Sequence, residues 1–182
     1  NVTLYGSYAD IFNPQSLQRI DGSILDPRVG QQYEAGLKGR FLNGALNASA
    51  AVFRSKERNR AVSDLANPGF YVQSGVATIE GFEFEVTGRP IPGLDLVASY
   101  TNVKTEIESG PEAQIGTAFD IFTPRHQYKF YARYEPAALG GAFGAISANG
   151  QSSVVGAGVE GIREQKPFVV AGAQMGWRFN AD

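Results

Sequence analysis

The feature that most constrains this chain is a hydrophobic period of two that returns along its length. In Glu34–Phe41, residues Ala35, Leu37, Gly39 and Phe41 share one parity, and Glu34, Gly36, Lys38 and Arg40 the other. Leu46, Ala48, Ala50 and Val52 alternate with Asn47 and Ser49, and Phe82, Phe84 and Val86 alternate with Glu83, Glu85 and Thr87. Leu94–Thr101 and His126–Tyr134 repeat the pattern, and Val169, Ala171, Ala173, Met175, Trp177 and Phe179 share a face near the end. A strand sends successive side chains to opposite faces, whereas a helix would scatter these residues around its circumference. Each run therefore reads as a strand with one apolar and one polar side. Two weaker strands, over 1–11 and 142–153, bring the expected number to eight. In the first, Tyr5 breaks the Val2–Leu4–Tyr8 parity; the second is small and glycine-rich.

The connections alternate too. Long loops are expected at about 12–29, 55–68 and 105–123, and an intermediate one at 156–166. Short turns fall at Leu42-Asn43-Gly44, Arg89–Gly93 and Pro136–Gly141, the Asn-Gly pair suiting a hairpin. All short turns then lie on one rim and all longer loops on the other, with both chain ends on the short-turn rim. A soluble sandwich has no reason for such alternation, so a soluble binding module is disfavoured. The pattern describes an all-β, antiparallel up-and-down transmembrane barrel in which the apolar parity meets lipid and the polar parity lines the lumen. Tyr100, Tyr134, Trp177 and Phe179 are then candidates for interfacial girdles.

Composition narrows the function. A net charge of -2 argues against a nucleic-acid partner, which needs a basic stripe. The absence of Cys and the single His remove disulfides, thiolate chemistry and most metal sites. No apolar run is long enough for a membrane-spanning helix. The chain begins directly in patterned sequence with no signal peptide, as expected of a mature region or a piece of something longer. The predicted lumen charges are Glu34, Glu83, Glu85 and Asp95 against Lys38, Arg40, Lys129 and Arg133. They suit either the filled interior of a small closed barrel or the wet wall of a wide one.

Several runs resemble the TonB-dependent siderophore receptors. They are Tyr5-Gly6-Ser7-Tyr8-Ala9-Asp10-Ile11-Phe12-Asn13-Pro14-Gln15, Leu25-Asp26-Pro27, and Gly30-Gln31-Gln32-Tyr33-Glu34-Ala35-Gly36-Leu37-Lys38-Gly39. The similarity continues through Leu46–Phe53, Gly81–Glu85, Pro92-Gly93-Leu94, Tyr100-Thr101 and Thr123-Pro124-Arg125-His126. It runs in collinear order over nearly the whole chain, and Tyr-Glu-x-Gly-Leu-Lys is its most specific element. The resemblance implies residues 1–182 as a partial barrel domain: about eight strands from the C-terminal half of a 22-strand type of barrel, without its plug domain or remaining strands. It implies a location in the bacterial outer membrane and import of ferric siderophores with TonB-supplied energy. The partners implied are the ferric siderophore, the TonB complex acting through the plug segment, and outer-membrane lipid. No cofactor is expected, since iron arrives with the siderophore as transported ligand. The alternative is a self-contained eight-strand barrel serving as anchor or adhesin.

An enzyme is not expected. His126 shares parity with Tyr128 and Phe130, no nucleophile elbow is present, and Glu83 and Glu85 read as lumen-wall carboxylates rather than a glycosidase pair. The loop acids Asp21, Asp26, Asp64, Glu106, Glu108, Glu112 and Asp120 lack calcium-loop spacing. Ligand contact is expected at the long-loop rim, from the aromatic faces of Phe12, Phe70, Tyr71, Phe119 and Phe122 and the polar groups of Gln15, Arg19 and Arg125.

Overall fold

The structure, a computed structural model, describes residues 1–179 apart from 65, 110–111, 113–114, 120–122 and 159–160. Eight antiparallel strands form one sheet: β1 (Val2–Asn13), β2 (Arg28–Phe41), β3 (Leu46–Ser63), β4 (Tyr71–Gly88), β5 (Leu94–Ile107), β6 (His126–Tyr134), β7 (Ala142–Gln151) and β10 (Phe168–Trp177). Between β7 and β10, β8 (Val154–Gly158) and β9 (Gly161–Gln165) make a separate two-stranded hairpin on the long-loop rim. The sheet order is β1-β2-β3-β4-β5-β6-β7-β10, so each strand lies beside its neighbour in sequence. β1 pairs with β2, β10 pairs with β7, and no ladder joins β1 to β10 among the described residues. The sheet is open. A self-contained eight-strand barrel requires that missing ladder, and the alternative fails on this point.

One register carries the alternation across the whole sheet. Leu4 faces Leu37, Leu37 faces Ala50, Ala50 faces Phe84, Phe84 faces Tyr100, Tyr100 faces Tyr128, Tyr128 faces Gly150, and Gly150 faces Val169. Side chains opposite one another share a face, so the apolar parities of all eight strands merge into one surface. Nothing among the described residues covers it: Leu4 is 75% exposed and Met175 89%. The buried apolar residues among those described are only Leu25, Ala51, Ala77 and Ala145. A water-soluble domain buries its apolar face against a second layer, and a sheet without one presents that face to lipid.

The aromatic edge of this surface crosses the register obliquely. On the long-loop side it passes Tyr8 and Tyr33, then Phe82, then Tyr100 and Tyr128, stepping down one face-sharing row at a time. Strands tilted to the membrane normal require that descent if the girdle is to stay level. The opposite face carries Glu34, Lys38, Glu83, Glu85, Lys129 and Arg133, as expected of a lumen wall. There Tyr5 OH donates to Glu34 Oε1 (2.7 Å), with Lys38 Nζ 4.7 Å from the centre of the Tyr5 ring.

Aromatic rings also lie over glycines on the neighbouring strand: Tyr5 on Gly36, Phe53 on Gly81, Tyr128 on Gly150 and Phe143 on Gly176. A Cβ at Gly81 would stand 2.0 Å from the Asn102 carbonyl oxygen, so that position has no room for a side chain. These pairs cover otherwise naked backbone and help pin the register.

The strands run further toward the long-loop rim than the alternation indicates. β3 and β4 each contain 18 residues, and most of the loop expected at 55–68 is strand. The stretch Arg54–Arg60 is polar on both parities because it lies beyond the aromatic edge, where water wets both faces. The hydrogen-bonded ladder persists after the hydrophobic reason for alternation has ended.

Candidate functional site

The rim is organised around a break in β3. Asn59 takes a left-handed conformation (φ 62°), and the ladder skips its pairing with Gly75 between Arg58–Val76 and Arg60–Ser74. Asn tolerates this backbone better than most residues. The turn points the Asn59 amide at the loop before β2, where Nδ2 donates to Pro27 O (3.0 Å). Gln15 Nε2 donates to Asn59 O (2.7 Å) and to Asp26 O (2.6 Å). Arg19 donates to Ile24 O (3.0 Å), Asp26 Oδ2 (3.2 Å) and Gln73 Oε1 (2.5 Å). The loop 14–27 is thereby tied to the β3–β4 hairpin, and its own Leu25 is buried.

Across the same hairpin, Ser109 occupies the space over Gly75: a Cβ there would meet Ser109 Oγ at 2.0 Å. Val76 N donates to both Ser109 Oγ (2.9 Å) and Ser109 O (3.1 Å). Two long connections thus converge on one point of the rim.

On the lumen side of this junction Glu57 is held between two guanidinium groups. Arg60 Nη1 lies 2.5 Å from Glu57 Oε2 and Arg28 Nε 3.6 Å from the same oxygen. Arg60 also stacks its guanidinium 4.0 Å from the Phe119 ring centre. Glu57 is buried, Arg28 Nε is buried without a hydrogen-bond partner, and Arg60 is half-buried. Two cations against one carboxylate, beside an aromatic face, leave a net positive charge at this point of the rim.

The residues expected to contact ligand separate into different places. Phe119 belongs to this cluster. Gln15 and Arg19 stand at the rim, but their donors are engaged in holding the loop. Tyr71 begins the return strand β4 and Phe70 immediately precedes it, Phe70 O accepting from Asp64 N (2.9 Å) and Tyr71 N donating to Gln18 O (3.0 Å). Phe12 lies on the outward parity of β1 and is 65% exposed, lining a shallow outer-face depression with Val29 and Lys56. Arg125 stands beside Lys104 in another outer-face depression. Phe122 lies outside the described residues. Arg28, Glu57, Asn59 and Arg60 escaped the sequence reading because Lys56-Glu57-Arg58-Asn59-Arg60 looks like an ordinary solvated loop. The available signal was that five-residue polar run directly continuing a patterned strand.

His126 remains on the outer face, its Nδ1 shared by Tyr100 OH (2.7 Å) and Asn102 Nδ2 (3.1 Å). Ser152 Oγ accepts from the His126 backbone N–H (3.1 Å), which places that hydroxyl against the main chain. Among the described residues no group of three or more His, Cys, Asp or Glu could hold a metal ion.

The family model described as TonB dependent receptor-like, beta-barrel, matches residues 1–182. The ferric-pyoverdine M114 receptor PbuA of Pseudomonas sp. (strain M114) is 35% identical over 166 residues, covering 86% of this chain and 20% of that protein. The catecholate siderophore receptor Fiu of Escherichia coli (strain UTI89 / UPEC) is 28% identical over 158 residues, covering 85% and 20%. The structure of the pyoverdine outer membrane receptor FpvA from Pseudomonas aeruginosa PAO1 bound to pyoverdine superposes with a TM-score of 0.86 at 26% identity, covering 99% of this chain and 28% of that one. The chain spans about a fifth of the length of the curated relatives it matches. The open sheet, its single lipid-facing surface and these matches agree: the chain belongs to the TonB-dependent receptor-like β-barrel family, as a section of an outer-membrane barrel.

Proposed function

We propose that this chain forms part of the wall and rim of a receptor that binds ferric siderophores outside the cell and imports them with energy from the TonB complex. In this reading residues 1–182 are a partial barrel domain, and the plug and the strands that complete the ring belong to the rest of the receptor. The chain carries out no bond chemistry and needs no resident cofactor; the iron is cargo. Similarity to receptors named for two different siderophore classes, pyoverdine and catecholate, supports the reading.

The observation that carries it is the Arg28–Glu57–Arg60 cluster with its Phe119 face on the lumen side of the long-loop rim. Siderophores hold iron through anionic oxygens, and guanidinium donors beside an aromatic face match such a surface. Gln15 and Arg19 act by placing the loop 14–27, while Phe70 and Tyr71 contribute rim surface. The test is binding and radio-iron uptake by the full-length receptor, wild type and Arg60→Ala, against pyoverdine-type and catecholate ferric complexes. The expected result is uptake of at least one complex by the wild type and about tenfold weaker binding by the variant, roughly 1.4 kcal/mol. A wild-type receptor that takes up none of them would overturn the assignment. Undiminished binding by the variant would remove the cluster from it.

A further inference from the structure

Alternation along β3 fails at one residue, and the failure decides where a charge points. Lys56 and Arg58 share the outward parity and line the outer-face depression with Phe12 and Val29. Arg60 should join them, because residues i and i+2 of a strand share a face. Instead its guanidinium meets Glu57, three residues back and of the opposite parity, and the ring of Phe119. Side chains three apart in a regular strand stand on opposite faces, so the Arg60–Glu57 contact requires a break between them.

The break is Asn59, with its φ of 62°. No residue is inserted: Arg58 faces Val76 before it and Arg60 faces Ser74 after it, so the register resumes unchanged. A bulge would set two residues against one. Here a single left-handed residue redirects the side chain that follows. The break is held from outside the strand. Asn59 O accepts from Gln15 Nε2 (2.7 Å), which satisfies an oxygen beside the skipped rung, and Asn59 Nδ2 donates to Pro27 O (3.0 Å).

The consequence is electrostatic. With Arg60 turned outward, the lumen side would hold Arg28 against Glu57 and balance. With Arg60 turned inward, it holds two guanidinium groups against one carboxylate.

We propose that Asn59 is a positioning residue of the ligand site: its left-handed backbone carries Arg60 from the outer to the lumen face and so gives the site its net positive charge. The proposal rests on the siderophore reading, in which the cargo presents anionic oxygens. Asn and Gly reach the left-handed region at small cost, whereas a β-branched residue resists it.

The test uses the full-length receptor in detergent, with pyoverdine-type and catecholate ferric complexes as probes. Heat-modifiable migration on gels reports that each variant has folded. Asn59→Val is expected to weaken binding about as much as Arg60→Ala, roughly tenfold. The Asn59→Val/Arg60→Ala receptor should be no weaker than either single variant, since both remove the same interaction. Asn59→Gly keeps the backbone without the amide and should bind within about twofold of wild type. A second readout needs no ligand. In a receptor with no other cysteine, Glu57→Cys/Arg60→Cys should be bridged by a short bismaleimide when residue 59 is Asn or Gly, and not in the Asn59→Val background. Equal bridging in that background overturns the proposal. So does a folded Asn59→Val receptor that binds as wild type does, a double variant whose loss is the product of the two single losses, or Asn59→Gly as weak as Asn59→Val. A wild type that binds no ferric complex overturns it through the assignment it rests on, and is told apart because the bridging pattern then stands unchanged.

Discussion

Glu108 shows how one side chain stabilises the part of the sheet that stands clear of the membrane. Its carboxylate accepts from Thr78 Oγ1 (2.5 Å) and meets Lys56 Nζ (2.5 Å) and Arg54 Nη2 (3.2 Å), tying β3, β4 and the start of a long loop together. The hydrogen bonds from Lys56 and Thr78 pull its pKa from 4.5 to about 2, against the opposing cost of burial. A pKa depressed in the folded state means stabilisation that is complete above about pH 4.5 and lost as pH falls toward 2. Amide protection in β3 and β4 beyond Arg54 and Glu80 is therefore expected to decline through that window in hydrogen exchange. Glu108→Gln should abolish the pH dependence and cost about 1 kcal/mol locally, since solvent screens a partly exposed network. Protection that declines equally in the variant would assign the effect to other carboxylates.

At the scale of elements, turns and strands obey different rules above and below the lipid. The short turn between β2 and β3 holds Leu42 and Asn43 both in the left-handed region (φ 52° and 56°), followed by Gly44 at φ 93°. Asn and Gly are suited to this backbone; Leu is not, and an exposed Leu42 gains little packing in return. Leu42→Asn is expected to stabilise the barrel by about 0.5–1 kcal/mol in urea unfolding from lipid vesicles. A destabilised variant would show that Leu42 serves as a membrane anchor instead. The Asn-Gly pair made this turn legible in the sequence. The long end of β3 was not legible, because from Arg54 to Arg60 both parities are polar and only the backbone ladder continues.

At the scale of the whole molecule, the sheet is a wall with two unpaired edges. An open edge beside an uncovered apolar surface favours aggregation in water. In residues 1–182 expressed alone in detergent, cysteines at the register partners Ser7 and Glu34 should cross-link readily, and cysteines at Tyr5 and Met175 should not. A Tyr5–Met175 cross-link would mean that the eight strands close on themselves. Pairs such as Arg89–Asp95 (2.5 Å) and Arg133–Glu135 (2.6 Å) lie along the short-turn rim.

The eight strands of the main sheet, their antiparallel order, the lipid and lumen faces and the placement of short turns all follow from the sequence itself, whereas the β8–β9 hairpin, which falls mostly in the loop expected at 156–166, does not. Each rests on a pattern local to one strand or one turn, and the membrane enforces the period of two wherever a strand crosses it. The candidate site was legible only in part: aromatic Phe119 stood out, while Arg28, Glu57 and Arg60 did not. Those three come from two strands, and their meeting depends on cross-strand register and on the left-handed break at Asn59. The tertiary structure also decided that the sheet is open, and that Arg125 stands with Lys104 on the outside of the wall. Register and closure are relations between strands far apart in the chain. A periodicity of two is satisfied equally by a closed small barrel and a slice of a wide one, so only the pairing of β1 and β10 could choose between them.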